Sequence, residues 1–459
     1  MTTAAIVLAA GKGTRMRSDL PKVMHPAMGR PLIGWVLHAL APVDVDQTIV
    51  VVGHGADRVA ATLPAGAVAV VQPDQRGTAD AVAVGLDAVG DVDDILVVPG
   101  DMPLLTAATL IALLDAHRTS KAAATVLTAT VADPTGYGRI VRDGTGAVVA
   151  IVEDRDADPE TAAIDEVNTS VYAFDAAALR DALPRVGNDN DQGEWYLTDV
   201  IGILAGDGLP VAAVVADPIE AAGVNTHGQL AAAAGELRRR INDELMATGV
   251  AIIDPARTHV EADVVVAPGA TLWPGTYLKG DSQVDAGAVV GPDVDSTDSH
   301  IAADATVRYA VLEGATVGPR ATVGPYTYLR PGAVLEADAK AGAHVEIKKS
   351  VVGARSKVPH LSYIGDATIG EDSNIGAGTI TVNYDGYDKH RTVIGDRVRI
   401  GSDTMLVAPV EIGDDAYTGA GSVITTDVTP GALAIERSPQ KQIEGYAERR
   451  RRRAQEKHG

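Results

Sequence analysis

A chain of 459 residues exceeds one typical hydrophobic core and implies two domains. It contains no cysteine, which excludes disulfides, thiolate metal sites and a cysteine nucleophile, and its formal net charge of −22 opposes general affinity for nucleic acid. The N-terminus shows no basic segment ahead of an apolar core, and no run of about 18 apolar residues occurs, so neither secretion nor membrane spanning is expected; the reading is a soluble, cytoplasmic protein.

The first apolar run, Ala4–Ala10, passes directly into a loop carrying Gly11, Lys12, Gly13, Thr14 and Arg15, with Lys22 a turn later. A strand feeding a glycine-rich, cationic loop suits a polyphosphate, because glycine lets backbone amides approach an anion closely. The spacing is not that of a Walker loop, and Met16 stands where the dinucleotide fingerprint requires a third glycine. Up to about Asn225, further strands (Thr48–Val52, Ala67–Val71, Ile95–Val98, Ala123–Thr128) alternate with helix-like segments such as Leu32–Leu40 and Ala79–Val89. That alternation predicts a Rossmann-like α/β domain with a mainly parallel sheet and a ligand at the carboxyl ends of its strands. Asp101, in Gly100-Asp101-Met102-Pro103 after one such strand, reads in isolation as a turn or cap residue, although its carboxylate is also within reach of a metal ion held by phosphate oxygens.

Between Gln229 and Thr248 the period becomes helical, with Leu230, Leu237, Ile241 and Leu245 on one face and Gly249 as the stop. Beyond it the period is six: Val260, Val266, Leu272, Leu278, Val284 and Val290; then Val317, Val323, Leu329 and Leu335; then Ile394, Ile400, Leu406 and Ile412. Six residues per side predicts a parallel β-helix. The register breaks near Asp295–Ser299 and at Thr379–Arg391, and an insertion into a solenoid is expected to leave it as a loop. A flat-sided prism with an apolar face predicts a homotrimer with sites between subunits. The run Arg449–Arg453 reads as a solvated, frayed tail without assigned function. The expected organisation is residues 1–227, a linker helix 228–249, a β-helix 250–437 and a tail 438–459.

The opening segment resembles the sugar-nucleotide pyrophosphorylase signature LAAGxGTRM…LPK, and the recurrent Val-Gly and Ile-Gly pairs resemble the hexapeptide repeat of left-handed β-helix acyltransferases. Taken with GDMPLL, YGRI, EVNTSVY, GVNT, YLRPGA, HVEIKKS, KVPHLSYIGD, NIGAGTITVNYDG and IGSDTMLVAP, the chain from Thr3 to Glu444 resembles the bifunctional bacterial N-acetylglucosamine-1-phosphate uridyltransferase/glucosamine-1-phosphate acetyltransferases. The resemblance implies two reactions. Acetyl-CoA first acetylates glucosamine-1-phosphate; UTP then uridylylates the product, releasing pyrophosphate and giving UDP-N-acetylglucosamine, the activated sugar of bacterial cell-wall polymers.

At the first site the resemblance implies that Arg15 and Lys22 offset phosphate charge and that Asp101 and Asn225 hold one or two Mg²⁺ ions. Ala10, Gly11, Gln72, Gly77 and Thr78 would hold the uridine half, Gln72 and the Gly77 backbone reading uracil. Gly138, Glu153 and Asn168 would hold the sugar and its N-acetyl group. At the second site His360 matches the general base, with Glu346 expected to orient it; Arg330, Lys348, Tyr363 and Asn374 match the acceptor sugar phosphate site. Acetyl-CoA contacts would include Ala377, Asn383, Tyr384, Lys389, Ser402, Ala420 and Arg437, the Ser402 amide being an oxyanion donor. The chain departs from the pattern at Ala79-Asp80, where Gly-His is common, at Pro99 for a Tyr, and at Pro359 for an Asn. Two rival readings are a non-catalytic trimerisation scaffold, as in hexose-1-phosphate adenylyltransferases, and an interfacial zinc site. His360, Glu346 and the NYDG loop oppose the first, and the lack of a close pair among His300, His344, His360 and His390 opposes the second.

Overall fold

The computed structural model describes residues 1–458, and the chain divides into two compact units, Met1–Ile241 and Asn242 onward. In the first unit the sheet runs, in spatial order, Val211–Val215, Ala124–Thr130, Glu166–Asp175, Asp94–Pro99, Thr3–Ala9, Gln47–Val52 and Ala67–Val71. Thr3–Ala9 is central, with parallel neighbours on both sides, which is why six of its seven residues are buried and its composition is a continuous apolar run. Alternate residues serve opposite layers. Ile6, Val51 and Val97 pack with Val82 and Leu86 of the helix Thr78–Asp87. Val7, Val50 and Val98 pack with Val36, Leu40, Leu110 and Leu113, on the helices Leu32–Leu40 and Ala107–Ser120.

The strand Glu166–Asp175 runs antiparallel between two members of the parallel set, and the hairpin Arg139–Arg142/Val148–Val152 attaches to it. Its pairing shifts register between Asn168 and Tyr172, where Ser170 has φ +64°, so the strand bulges at Asn168. A bulge of this kind re-aims a side chain.

The helix His227–Ala247 uses Ala233 and Leu237 to cover Ala27, Leu32, Leu104 and Val224 of the first unit. Asn242, fully buried in the second unit, donates to the carbonyls of Pro255 (2.9 Å) and Thr258 (3.0 Å).

The second unit is a three-sided solenoid of all-parallel sheets with eleven, ten and nine strands. Each turn repeats the last: Val266 pairs with Val284, eighteen positions on, as three six-residue sides require. The period-six residues named above are all buried and form the internal stacks. The break at Asp295–Ser299 is not an outgoing loop. Val294–Thr297 is a regular strand whose buried Ser296 takes the inward position, and the coil is shortened instead, Val284 pairing with Ile301. At the second break Ile369 pairs with Ile394, and the extra residues leave the wall as a small hairpin in which Tyr384 bridges Lys389. Residues Tyr446–His458 form a helix rather than a frayed tail. The segment YAERRRRRAQEKH contains no glycine, proline or β-branched residue, so propensity alone favours helix.

Candidate active sites

The phosphate-binding loop is built around one glycine. Gly13 has φ +61°, and a Cβ there would lie 2.6 Å from Lys22 Cβ, so the left-handed turn lets the lysine stem cross the loop. Beside Gly11 the space is open, with no protein atom within 4 Å of where a Cβ would be. Lys22 Nζ donates to Asp101 Oδ2 and, at 3.0 Å, to Asn225 Oδ1, while Arg15 Nη2 donates to Asn225 Oδ1 at 2.9 Å. The Val224 amide donates to the Asp101 carbonyl (2.9 Å), so the backbone straps the segment bearing Asn225 to the segment bearing Asp101. The two cations of the loop and the two expected metal ligands thus converge. Two side-chain oxygens from different segments already share one cation, the arrangement a hard divalent ion needs, and no larger carboxylate or histidine cluster occurs among the described residues.

Around the expected base pocket, Gln72 is buried and donates to Asp80 Oδ2 (2.7 Å) and to the Gly77 carbonyl (3.3 Å). Gly77, at φ +133°, lies so close to Trp195 that any Cβ would strike the Trp195 backbone. The Thr78 hydroxyl accepts the Leu197 amide (2.9 Å), the Ala10 carbonyl accepts Gln75 Nε2 (2.5 Å), and the Ala79 amide donates to the Trp195 carbonyl (2.9 Å). At the sugar end, a Cβ on Gly138 would stand 3.6 Å from both Asn168 Cβ and Glu153 Oε2, which places these three residues together. Burial pushes the Glu153 carboxyl above the usual range, and Asp156, Asp199 and Asp154 add to the rise; a hydrogen bond from Thr198 (3.1 Å) opposes it. Asn168 Nδ2 donates to the buried Tyr172 hydroxyl at 2.7 Å. The sequence reading passed over Arg139 of YGRI, whose buried guanidinium bonds Asp154 (2.8 Å) and the Tyr137 carbonyl and so holds the chain on both sides of Gly138 and Glu153.

In the solenoid, stacking lines up residues distant in sequence. The Gly378 amide donates to the His360 carbonyl (3.3 Å), Asp403 to Ala377 (2.6 Å), Gly421 to Ser402 (2.9 Å), and Arg437 Nη1 to Ala420 (2.8 Å). His360, Ala377, Ser402 and Ala420 are therefore one corner of the prism on consecutive coils, ending at Arg437. A Cβ on Gly376 would strike the Ser402 amide, which donates to no protein group among the described residues.

The adjoining sheet carries Glu346, Lys348 and Tyr363, with Glu346 paired in register to Tyr363, and Arg330 directly follows its strand Thr327–Leu329. Asn374 pairs with Lys357 on the His360 side. Arg330 Nη1 donates to Glu346 Oε1 at 2.8 Å. No hydrogen bond joins Glu346 to His360, contrary to the sequence expectation. The reason is the winding: His360 ends a strand of the preceding sheet, one coil along, whereas Glu346 belongs to the sheet that follows the corner. Asp366, absent from the sequence-based set, receives Lys348 Nζ (3.2 Å) and Asn383 Nδ2 (2.5 Å). Burial alone would raise the Asp366 carboxyl, but these bonds and the charges of Lys348 and Lys389 bring it below the usual range. Lys389, beside Lys348, is held below the ordinary lysine value by that neighbour. Asp385 organises the hairpin, accepting the amides of Asp388 (2.7 Å) and Tyr387 (2.8 Å) and bonding His390 (2.7 Å), which hold its carboxyl far below the usual range.

A phosphate loop on a mainly parallel sheet, followed by a hexapeptide solenoid with a histidine-headed corner, defines a nucleotidyltransferase joined in one chain to an acyltransferase. The MobA-like NTP transferase domain matches residues 5–196, and the bacterial transferase hexapeptide (six repeats) matches residues 391–426. The bifunctional protein GlmU of Corynebacterium glutamicum is 50% identical across 98% of this chain and 95% of its own length; that of Streptomyces avermitilis is 51% identical across 98% and 94%, and that of Mycobacterium bovis 50% across 98% and 93%. The chain belongs to the GlmU family. It is a bifunctional uridyltransferase and acetyltransferase, and its solenoid is a left-handed β-helix.

Proposed function

We propose that the two sites act in series, the His360 corner acetylating glucosamine-1-phosphate and the Gly11–Lys22 loop converting the product to UDP-N-acetylglucosamine. For the first step the supporting observation is the corner itself: a histidine followed on consecutive coils by Ala377, Ser402 and Ala420 gives an extended thioester a continuous track. His360 removes a proton from the acceptor amine, and the free Ser402 amide meets the developing charge on the thioester oxygen. Arg330 and Lys348 supply the positive charge for the sugar phosphate, with Tyr363 and Asn374 against the sugar and Asn383, Tyr384 and Lys389 against the coenzyme.

For uridylyl transfer, Arg15 and Lys22 hold the triphosphate in line for attack by the sugar phosphate, and Glu153, Asn168 and Gly138 hold the sugar. Asp101 and Asn225 are the residues that would hold Mg²⁺, which when bound shares its charge among the phosphate oxygens. Lys22 then turns from these oxygens to the phosphate. A homotrimer in the cytoplasm completes the reading; an open groove of about 610 Å³ bearing Tyr277, Tyr309, Val311 and Tyr326 gives the prism an exposed apolar face to bury. Among the described residues no helix is long and apolar enough to cross a membrane. The discriminating experiment is His360→Ala: acetyl transfer is lost and uridylyl transfer to preformed N-acetylglucosamine-1-phosphate stays at the wild-type rate. Equal loss of both would refute two separate sites.

A further inference from the structure

The amide of Gln72 has a donor arm and an acceptor arm, and its own chemistry does not decide which faces outward. Its side-chain hydrogen bonds among the described residues are two, both from Nε2, to Asp80 Oδ2 (2.7 Å) and to the Gly77 carbonyl (3.3 Å). Neither partner can donate. Turning the amide over would set its carbonyl oxygen against a carboxylate and a carbonyl, so one orientation is fixed.

Asp80 is itself held. Its other oxygen, Oδ1, receives Arg76 Nη2 at 2.7 Å, and the Arg76 guanidinium lies 5.3 Å from the Trp195 ring centroid. Asp80 also lies in the first turn of the helix Thr78–Asp87, where a negative charge is favoured. Ala79-Asp80 is the pair at which this chain departs from the Gly-His pattern of the family it resembles.

We propose that Asp80 is a specificity-determining positioning residue: it holds Gln72 with Nε2 inward, so that Oε1 alone is offered to the base. This rests on the reading that Gln72 faces the base. An acceptor at that point receives the N3–H of uracil and opposes the unprotonated N3 of cytosine, so discrimination arises from a repulsive pair as much as from an attractive one. Asn at position 80 can accept or donate, which leaves only the longer contact with the Gly77 carbonyl (3.3 Å) to favour one orientation of Gln72.

The test measures kcat/KM for UTP and for CTP, with N-acetylglucosamine-1-phosphate and Mg²⁺, in the full-length wild type, Asp80→Asn and Gln72→Leu, following pyrophosphate. The expected result is a UTP:CTP preference reduced about tenfold or more in Asp80→Asn, the scale of one hydrogen bond lost to a mispaired group. Partial misfolding lowers both nucleotides alike and leaves the ratio unchanged, so the ratio reports orientation alone. An unchanged ratio in Asp80→Asn, with UTP turnover lost in Gln72→Leu, overturns the role of Asp80 and leaves Gln72 at the base. Wild-type turnover of both nucleotides by Gln72→Leu overturns the placement of Gln72 and the inference with it.

Discussion

At the scale of single residues, both candidate sites hold cationic side chains on carboxylate and amide oxygens. Lys22 is the clearest case, resting between Asp101 and Asn225. Lys22→Ala is expected to lower the kcat of uridylyl transfer by about 10² or more, the usual loss when one charge-stabilising donor is removed, with acetyl transfer unchanged. Asp366 ties Lys348 to Asn383 and so joins the phosphate clamp to the inserted hairpin. Asp366→Asn is expected to raise KM for glucosamine-1-phosphate more than it lowers kcat, because the bound substrate partly restores the alignment. Steady-state kinetics with acetyl-CoA saturating separates the two.

Glu153 shows the opposite relation between stability and use. Burial raises its folded-state pKa, so between the ordinary glutamate value and the raised one the folded state binds more protons than the unfolded, and stability falls as pH rises through that window. Glu153→Gln is therefore expected to raise Tm at pH 7, with no gain below about pH 4, where the carboxyl is protonated in both states. Thermal melts at the two pH values read this directly. The same substitution should weaken N-acetylglucosamine-1-phosphate binding, since it removes a carboxylate from the sugar end.

At the scale of elements, the solenoid repeats one turn and varies only its corners. Arg320, Asp338, Arg355, Asp372, Arg397 and Asp415 occupy the same corner on successive coils, all with φ between +54° and +63°. Ion pairs of 2.7–2.9 Å join Arg320 to Asp338, Arg355 to Asp372, and Arg397 to Asp415. These pairs are exposed, so breaking one is expected to matter little beside an internal stack residue. Leu312→Ala, at a fully buried stack position, should cost about 2–5 kcal/mol in urea unfolding.

The solenoid was legible in the sequence because most inward positions are apolar at a fixed interval, and the strand Thr3–Ala9 because a central parallel strand is apolar throughout. Glu166–Asp175 is not among the strands read from the sequence, since the bulge between Asn168 and Tyr172 breaks its period and leaves Ser170 exposed. The shortened coil at Val294–Thr297 was mistaken for an insertion because Ser296 replaces an apolar residue in the stack and hides the register. Arg15, Lys22, Asp101 and Asn225 were legible through their motifs. The Asp80–Gln72 pair was not, because its spacing has no local period and its contact depends on how the chain folds back; Asp366 lies 18 residues, one coil, beyond Lys348, so the period could have found that pair.

At the scale of the whole molecule, two transfer chemistries with no shared residues occupy one chain, and each unit has its own core. Activities in separate units should fail separately: Lys22→Ala and His360→Ala, mixed in one tube, are expected to restore synthesis from glucosamine-1-phosphate to UDP-N-acetylglucosamine, the free intermediate passing between molecules.

The most direct measurement supplies purified protein with glucosamine-1-phosphate, acetyl-CoA, UTP and Mg²⁺ and follows free coenzyme A thiol and pyrophosphate separately. Release of both is expected, the thiol first, and pyrophosphate without delay when N-acetylglucosamine-1-phosphate replaces the amine. Pyrophosphate from the preformed sugar with no thiol release from the amine would make the solenoid a scaffold and contradict the assignment of the His360 corner.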